Sequence, residues 1–186
     1  MELFQAIKER QSIRAYKSTP VDDATLNRIL DAAHQAPSWG NSQTWRFIVV
    51  RDKGVKEQLA SGVLRPGNRA TEATKQAPVL VALCAELNKA GFRDGQPSTN
   101  KEGYWFMFDA GLAMQNLMLA AKSLGLGTCC LGGFDAAKAG QILGIPEGYA
   151  VVALTPLGYP DEKPEARPRK ELNELVFYNK FGNTGK

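Results

Sequence analysis

The chain has 186 residues, of which 44% are hydrophobic and 23% charged, a balance typical of a globular domain rather than a disordered or membrane-spanning protein. We expect one domain over residues 1–186, because this length buries most of the surface that the unfolded chain exposes. The formal charge of +4 is spread along the sequence without a dense basic block, which argues against a nucleic-acid-binding arm.

The N-terminal residues and the cysteines indicate the compartment. The N-terminus lacks the apolar core of a secretion signal, and no run of about 18 apolar residues could span a membrane. We therefore expect a cytoplasmic protein that does not contact membranes. The three cysteines, Cys84, Cys129 and Cys130, are odd in number, so buried free thiols are expected rather than a disulfide framework.

Hydrophobic spacing and turn residues divide the chain into helices and strands. Leu26 to Ala33 shows the 3–4 spacing of an amphipathic helix, which Asp22 or Asp23 can cap. In chain order the predicted elements are a helix around 3–7, a helix over 26–33, a loop over 37–43, a strand over 45–50, helices over 55–61 and 69–76, a buried strand over 78–83, a loop over 86–100, a helix over 102–124, a strand over 128–131, a helix from 135 and a strand over 149–157.

Three segments suggest a mobile loop over the site or an interface with a second copy of the chain. Residues 86–100 are rich in Gly, Pro, Asn and charge, which predicts a mobile surface loop that could act as a lid. The helix over 102–124 is apolar on nearly every face and should be buried on all sides, which favours a second copy of the chain as its partner. The last thirty residues end in the aromatic group Phe177, Tyr178 and Phe181, so we expect this tail to wrap around that partner.

Several common mechanisms are excluded by the residues present. His34 is the only histidine, which leaves no Ser-His-Asp triad, no Cys-His pair and no histidine-based metal cluster. Residues 125–130 carry two glycines of a dinucleotide fingerprint, but they follow a helix and precede a strand, the reverse of the required order. A phosphate-binding GxxxxGK[ST] loop is also missing from the sequence.

Two basic segments could bind an anion. Residues 10–14 read Arg-Gln-Ser-Ile-Arg, and residues 167–170 read Arg-Pro-Arg-Lys. Planar guanidinium groups match the oxygens of a terminal phosphate in bidentate fashion, so four arginines could hold one phosphate. Taken alone, two solvated basic turns explain the same pattern, because surface arginine is ordinary.

The chain resembles the nitroreductase family over almost its whole length, with the family's motifs in the same order. Five short motifs in order make this resemblance specific. The first motif, R-x-S-x-R, is matched by Arg10-Gln11-Ser12-Ile13-Arg14, and the loop and strand P-S-x-x-N-x-Q-x-W-x-F by Pro37, Ser38, Asn41, Gln43, Trp45 and Phe47. The family's long helix, turn and strand are matched by Asp109–Cys129, and the next turn by Leu131-Gly132-Gly133-Phe134. The late R-x-R is matched by Arg167 and Arg169.

The resemblance implies an α+β fold with a central, mainly antiparallel sheet flanked by helices, and a homodimer with two FMN sites at its interface. It also implies NADH or NADPH as co-substrate. By position, the implied FMN contacts fall into four groups. The residues implied at the phosphate and ribityl chain are Arg10, Gln11, Ser12, Arg14, Arg167 and Arg169. Those implied to come from the partner chain are Pro37, Ser38, Trp39, Asn41 and Gln43. The flavin ring would be contacted by Asn68 at its pyrimidine edge and by Leu131, Gly132 and Gly133 at its N5 edge.

The sequence departs from the family's pattern at three positions. Gln11 stands where a second Arg or Lys is common, so it adds a hydrogen bond but no charge. Thr44 stands where Pro is common. Trp39 is bulkier than the small residue of many relatives, so it either narrows the space above the flavin or simply packs at the interface.

The family chemistry implied is a two-step transfer in which NAD(P)H reduces the flavin and leaves, after which a nitroaromatic, a quinone or a related acceptor is reduced. Little acid–base machinery is needed, because the cofactor carries the chemistry. Positive charge near N1 and C2=O would favour the reduced flavin, with Arg10 or Arg14 as candidates. Two alternatives stay open: an FMN-binding sensor or store with little turnover, and a domain whose arginines contact nucleic acid or another polyanion.

Overall fold

A computed structural model describes residues 1–101 and 103–185 as an α+β fold. A four-stranded antiparallel sheet in the order β1-β2-β6-β5 forms its centre. The strands are β1 Trp45–Val50, β2 Val79–Glu86, β3 Phe92–Arg93, β4 Gln96–Pro97, β5 Gly127–Thr128 and β6 Tyr149–Gly158, and the helices are α1 Leu3–Glu9, α2 Asp23–His34, α3 Lys53–Val63, α4 Thr71–Gln76, α5 Trp105–Ser123 and α6 Ala136–Leu143.

The sheet lies between two layers of helices, which confirms the predicted fold class. Strand β2 is buried on both faces because its alternate side chains enter two different hydrophobic clusters. Leu80 and Ala82 pack with residues of α3, α4 and α6, whereas Val81 and Leu83 pack with residues of α2 and α5. This two-sided burial explains why the strand is a continuous apolar run in the sequence.

The predicted helix starts match the structure where a carboxylate can cap the first turn. Asp22 accepts a hydrogen bond from the Thr25 amide at 2.8 Å. Asp135 accepts one from the Lys138 amide at 3.0 Å. Each side chain satisfies an amide that has no partner within its helix, so both α2 and α6 begin where the sequence indicated.

The segment between α1 and α2 is fixed to the end of the sheet. Ser12 pairs with Thr128 in a parallel bridge, and the Ile13 amide donates to the Thr128 carbonyl at 2.9 Å. The hydroxyl of buried Tyr16 donates to the Ile13 carbonyl at 2.6 Å. These bonds hold residues 10–16 against β5 and place the first basic segment at one edge of the molecule.

The structure corrects three local predictions. Residues 86–100 contain the β3–β4 hairpin, and buried Ala90 anchors this segment. The strand expected over 128–131 is shorter, since only Leu131 pairs further along, with Leu154. Cys130 is exposed, whereas Cys84 and Cys129 are buried.

Helix α5 was expected to be buried on all sides with the help of a second copy of the chain, which a single protomer does not test. Within one chain it buries a single face, where Ala113 and Leu117 are fully enclosed, while Met107 and Phe108 are 46% and 59% exposed. Burial on all sides is therefore not achieved within one protomer. None of the described helices is long and apolar enough to cross a membrane.

The C-terminal tail after residue 165 lies on the surface with little regular structure beyond a 3₁₀ turn at Leu172–Glu174. Leu172 and Phe181 are 75% and 92% exposed, which is unusual for large apolar side chains. Helix α1 also exposes an apolar side chain, Phe4, at 79%. The wrapping of this tail around a partner stays a prediction.

Candidate active site

The two basic segments of the sequence meet in one shallow depression of about 160 Å³. Its walls combine residues from the N-terminal and C-terminal parts of the chain, and we call it the arginine depression. Its lining residues are Arg10, Gln11, Ser12, Arg14, Pro164, Glu165, Arg167 and Arg169.

Backbone pairing between distant segments brings these residues together. The Asp161 amide donates to the Ala15 carbonyl at 2.9 Å, and Tyr16 pairs with Pro160. With its side-chain amide oriented so that the nitrogen faces them, Gln11 donates to the carbonyls of Pro164 and Glu165 at 2.9 and 3.0 Å. Gln11 therefore fastens the C-terminal segment to the N-terminal one, a role that its position in the basic motif did not indicate.

The guanidinium groups of the depression have no carboxylate partner among residues 1–101 and 103–185. Among the described residues, no carboxylate oxygen lies within 4.0 Å of the side-chain nitrogens of Arg10, Arg14, Arg167 or Arg169. Two of them bond only to nearby carbonyls, Arg14 to Ser12 at 3.5 Å and Arg169 to Arg167 at 3.2 Å.

Acidic groups close to the depression leave this positive charge in place. Glu165 lines one wall, and Glu162 accepts a hydrogen bond from the backbone amide of Arg14. Four guanidinium groups therefore face one or two carboxylates, which leaves an excess of positive charge. Such a donor set suits the terminal phosphate of a mononucleotide, since arginine binds phosphate in bidentate fashion.

The turn after β5 continues from this depression. Burial raises the pKa of the Cys129 thiol, while Arg14 and a hydrogen bond with Ser12 act in the opposite direction. Leu131 is fixed by hydrogen bonds with Leu154 at 2.8 and 3.1 Å.

The two glycines that follow Leu131 leave room beside the backbone. No described atom lies within 4 Å of a Cβ placed on either Gly132 or Gly133. Packing inside this chain does not require glycine at these positions, so the free space is available to a ligand that approaches the backbone closely.

Asn68 lies in a turn near this region but not in the depression. Its side-chain oxygen accepts a hydrogen bond from the Ala70 amide at 2.9 Å, which stabilises the turn before α4. Leu64, at the end of α3, pairs with Phe134 and links that turn to residues 131–134. The structure thus gives Asn68 a local structural contact, and its contact with a flavin stays a prediction.

The loop at residues 37–43 lies elsewhere in the protomer, against α5. We call residues 38–43 the Trp39 turn. The Trp39 amide donates to the buried carboxylate of Asp109 at 3.0 Å, and its ring packs on Trp105 with a centroid distance of 5.1 Å. Within the turn, the Gln43 side chain donates to Asn41 at 3.1 Å. Neither Pro37 nor any residue of the turn lines the arginine depression.

An aromatic cleft of about 430 Å³ lies beside the Trp39 turn. Its apolar walls come mainly from the first turns of α5, where Tyr104 and Phe108 are more than half exposed. Trp105 connects the cleft to the turn, since its ring contacts both Trp39 and Phe108. The cleft is lined by Asn100, Lys101, Tyr104, Trp105 and Phe108.

Sequence reasoning did not assign a role to two features of this region. Asp109 appeared only as the first residue of a helix motif, and the aromatic residues at 104–108 appeared only as part of an apolar helix. Charge inside an otherwise apolar helix was the available signal for Asp109. The aromatic cleft left no separate signal, because aromatic residues in a helix usually belong to a core.

Comparison with known proteins agrees with the fold. The family model described as the nitroreductase family matches residues 7–159. A protein of Archaeoglobus fulgidus, named provisionally as an NADH dehydrogenase/NAD(P)H nitroreductase, is 36% identical over 172 residues, which cover 87% of this chain and 88% of that protein.

Two solved structures extend the comparison. A nitroreductase family protein from Clostridium novyi NT has a TM-score of 0.78 and 32% identity, and the match covers 98% of this chain and 96% of that one. An iodotyrosine deiodinase solved with FMN and 3-iodo-L-tyrosine shares the fold, with a TM-score of 0.80 at 24% identity over 97% of this chain and 100% of that one. The chain therefore belongs to the nitroreductase family.

Proposed function

We propose that this protein is an FMN-dependent oxidoreductase that uses NADH or NADPH to reduce nitroaromatics, quinones or related acceptors. The observation that carries the proposal is the arginine depression, in which Arg10, Arg14, Arg167 and Arg169 converge from opposite ends of the chain. Membership of the nitroreductase family and the names of relatives, NAD(P)H nitroreductase among them, support the same conclusion.

The phosphate of FMN is the group that this depression suits. A phosphate monoester carries close to two negative charges, which unpaired guanidinium groups would neutralise through charge-assisted hydrogen bonds. The Ser12 hydroxyl adds a donor at the same place. The backbone at Gly132 and Gly133 leaves space for the isoalloxazine ring beyond the phosphate.

The second part of the site would come from a partner protomer in a homodimer. Five residues of the loop at 37–43 do not reach the arginine depression of their own chain, so they would flank the flavin held by the partner protomer. They are Pro37, Ser38, Trp39, Asn41 and Gln43. Exposed apolar side chains on α1, α5 and the tail support such an interface, because a monomer would leave them in water. The aromatic cleft would then offer a flat, apolar surface to an acceptor.

Bound FMN would accept a hydride from NAD(P)H and pass the electrons to the acceptor, in two successive half-reactions. The residues of the chain bind and position the cofactor and the acceptor. The arginines hold the phosphate, Gln11 keeps the two arginine-bearing segments together, and the apolar residues of the cleft exclude water and orient a planar acceptor. Arg10 and Arg14 also place positive charge close to the turn that follows β5, where the flavin ring would lie.

The first experiment is the visible absorption spectrum of the purified protein, followed by anaerobic addition of NADH and then NADPH. We expect two flavin bands that bleach on addition and return when a quinone is supplied. Flavin bands that do not bleach would instead indicate a store or a sensor. A colourless protein that takes up no FMN on reconstitution would overturn the proposal.

Substitution tests which residues hold the phosphate. Arg10→Ala or Arg169→Ala should weaken FMN binding by about 1.5 to 3 kcal/mol, or roughly 10- to 150-fold in Kd, if each loses a charge-assisted bond. Arg51→Ala is the matched control, because Arg51 pairs with Asp23 at 2.7 Å away from the depression. An FMN Kd unchanged by both cluster substitutions would remove these arginines from the site.

A further inference from the structure

We propose that Asp109 is a positioning residue that holds the Trp39 turn in place and thereby sets which electron acceptors the enzyme takes. The proposal rests on the proposed function, since selectivity among acceptors requires a working flavin site. Its structural part, the control of Trp39 by Asp109, can be tested without a flavin.

Asp109 is a buried carboxylate whose hydrogen-bond donors include two groups of the Trp39 turn. Its side chain is on α5 and the residue is 1% exposed. Oδ2 accepts a hydrogen bond from the Trp39 amide at 3.0 Å and a longer one from the Ser42 hydroxyl at 3.5 Å. In the described part of the chain, no cationic nitrogen lies within 4.0 Å of this carboxylate.

The electrostatics of Asp109 agree with a tether made by the turn itself. Burial raises the pKa of Asp109, and the hydrogen bonds from Trp39 and Ser42 act against this shift. A carboxylate removed from water is costly unless donors replace its hydration. The turn supplies these donors, so the carboxylate and the turn stabilise each other.

The turn needs such a tether because its backbone is strained. Gly40, Asn41 and Gln43 all have positive φ values, between 47° and 55°. For residues with a side chain this conformation costs on the order of 1 kcal/mol or more each. The bonds inside the turn, such as Ser42 to the Trp39 carbonyl at 2.8 Å, do not fix its position relative to α5. Within the described residues, Asp109 provides its hydrogen bonds to that helix.

The consequence reaches the aromatic cleft through the Trp39 ring. Trp105 lies one helical turn before Asp109, so the same part of α5 holds the backbone of Trp39 and contacts its ring. The Trp39 and Trp105 rings are tilted by 41°, and Trp105 meets Phe108 edge to face. Trp39 does not line the cleft itself, but its ring packs against Trp105, which does. The position of Trp39 therefore sets the position of that wall and thereby limits the size of a planar acceptor.

The test compares Asp109→Leu, which removes the acceptor but keeps the branched shape and the number of heavy atoms, with Asp109→Asn, which keeps an oxygen for the Trp39 amide. In FMN-free protein, near-ultraviolet circular dichroism should report the coupled Trp39 and Trp105 rings. We expect Asp109→Leu to lose this signal as fully as Trp39→Phe does, while Asp109→Asn retains most of it. Asp52→Asn is the control, since Asp52 also accepts a backbone hydrogen bond, from Val55, away from the cleft.

The second readout is acceptor selectivity in the FMN-loaded protein. The ratio of kcat/KM for a bulky polycyclic quinone to that for a monocyclic nitroaromatic should rise about tenfold in Asp109→Leu, a typical effect of pocket size. Because the ratio compares two acceptors in one variant, any change in FMN occupancy or in flavin reduction by NADH cancels from it. Asp109→Leu combined with Trp39→Ala should match Trp39→Ala alone, because Asp109 acts through Trp39.

The outcomes separate this proposal from the proposed function. Unchanged circular dichroism and an unchanged acceptor ratio in folded Asp109→Leu protein would overturn the positioning role. A lost dichroism signal in a protein that never binds FMN would support the tether and refute the proposed function. If Asp109→Leu does not fold, Ser42→Ala and Asp109→Ala take its place, and both should shift the ratio in the same direction, Ser42→Ala by a smaller factor. No shift in either would refute the role.

Discussion

Gly127 lies where β5 crosses the segment that carries the first two arginines, so a single added methyl group should disturb the arginine depression. A Cβ at this position would lie 2.6 Å from Ile13 Cγ1 and 2.8 Å from Ile13 Cβ. Carbon atoms in contact prefer about 3.5 to 4.0 Å, so Ile13 would have to move by roughly 1 Å. Because Ile13 is buried and precedes Arg14 directly, this movement would shift Arg14 as well.

We expect Gly127→Ala to lower the free energy of unfolding by about 1 to 3 kcal/mol, the usual cost of overpacking. For a chain of this size the melting temperature should fall by roughly 2 to 4 °C for each kcal/mol. FMN affinity should fall by about tenfold, on the order of one weakened charge-assisted hydrogen bond. Thermal unfolding and titration of flavin fluorescence would measure the two effects.

Gly62→Ala is the matched control for this prediction. Gly62 lies in α3, and a Cβ there would meet only the end of the Lys138 side chain at 3.7 Å, an ordinary contact. Alanine in a helix should raise the free energy of unfolding by about 0.5 to 1 kcal/mol. A Gly127→Ala protein that matches the wild type in both melting temperature and FMN Kd would refute the reasoning.

Three further substitutions test buried polar groups away from the depression. Thr44 is buried and its hydroxyl finds no partner among the described residues, so Thr44→Val should raise the free energy of urea unfolding by about 1 kcal/mol; Thr74→Val should lower it by a similar amount, since the Thr74 hydroxyl donates to Ala70 at 2.8 Å. A loss of stability in Thr44→Val would show that its hydroxyl is bonded after all. Lys56 is buried and donates to the Ala77 carbonyl, and burial lowers its pKa from 10.5. The unfolded chain then keeps this proton to higher pH than the folded one, so stability rises with pH between the lowered pKa and 10.5. Lys56→Met should lack this gain, so its unfolding free energy relative to wild type should fall as the pH rises toward 10.5. A difference that stays constant with pH would contradict the assignment.

Helix caps and buried strands could be predicted from the sequence because they depend on residues close to one another in the chain. The capping roles of Asp22 and Asp135 needed only the residues of one helical turn, and both were confirmed. The apolar run over 78–83 predicted a buried strand, and the structure shows β2 there with a helical layer on each face. The order of the family motifs indicated the fold class and the cofactor class.

The tertiary structure decided which distant groups meet. Gln11 fastens the C-terminal segment, and Asp109 binds the amide of Trp39, 70 residues away in sequence. Neither contact has a local pattern, because it depends on which strands pair and on which face of α5 meets the loop. Cys130 shows the same limit, since adjacent cysteines received the same prediction and only the path of the backbone leaves one exposed.

What the sequence determined by itself was the periodicity of each element and the presence of two arginine pairs near its two ends. Only the folded chain decided that these pairs share one depression, while the Trp39 turn lies against α5. The physical reason is that hydrophobic spacing specifies the buried face of each element. Which polar groups come within hydrogen-bond distance is instead fixed by packing and strand pairing over the whole sheet. A local sequence pattern does not contain this information.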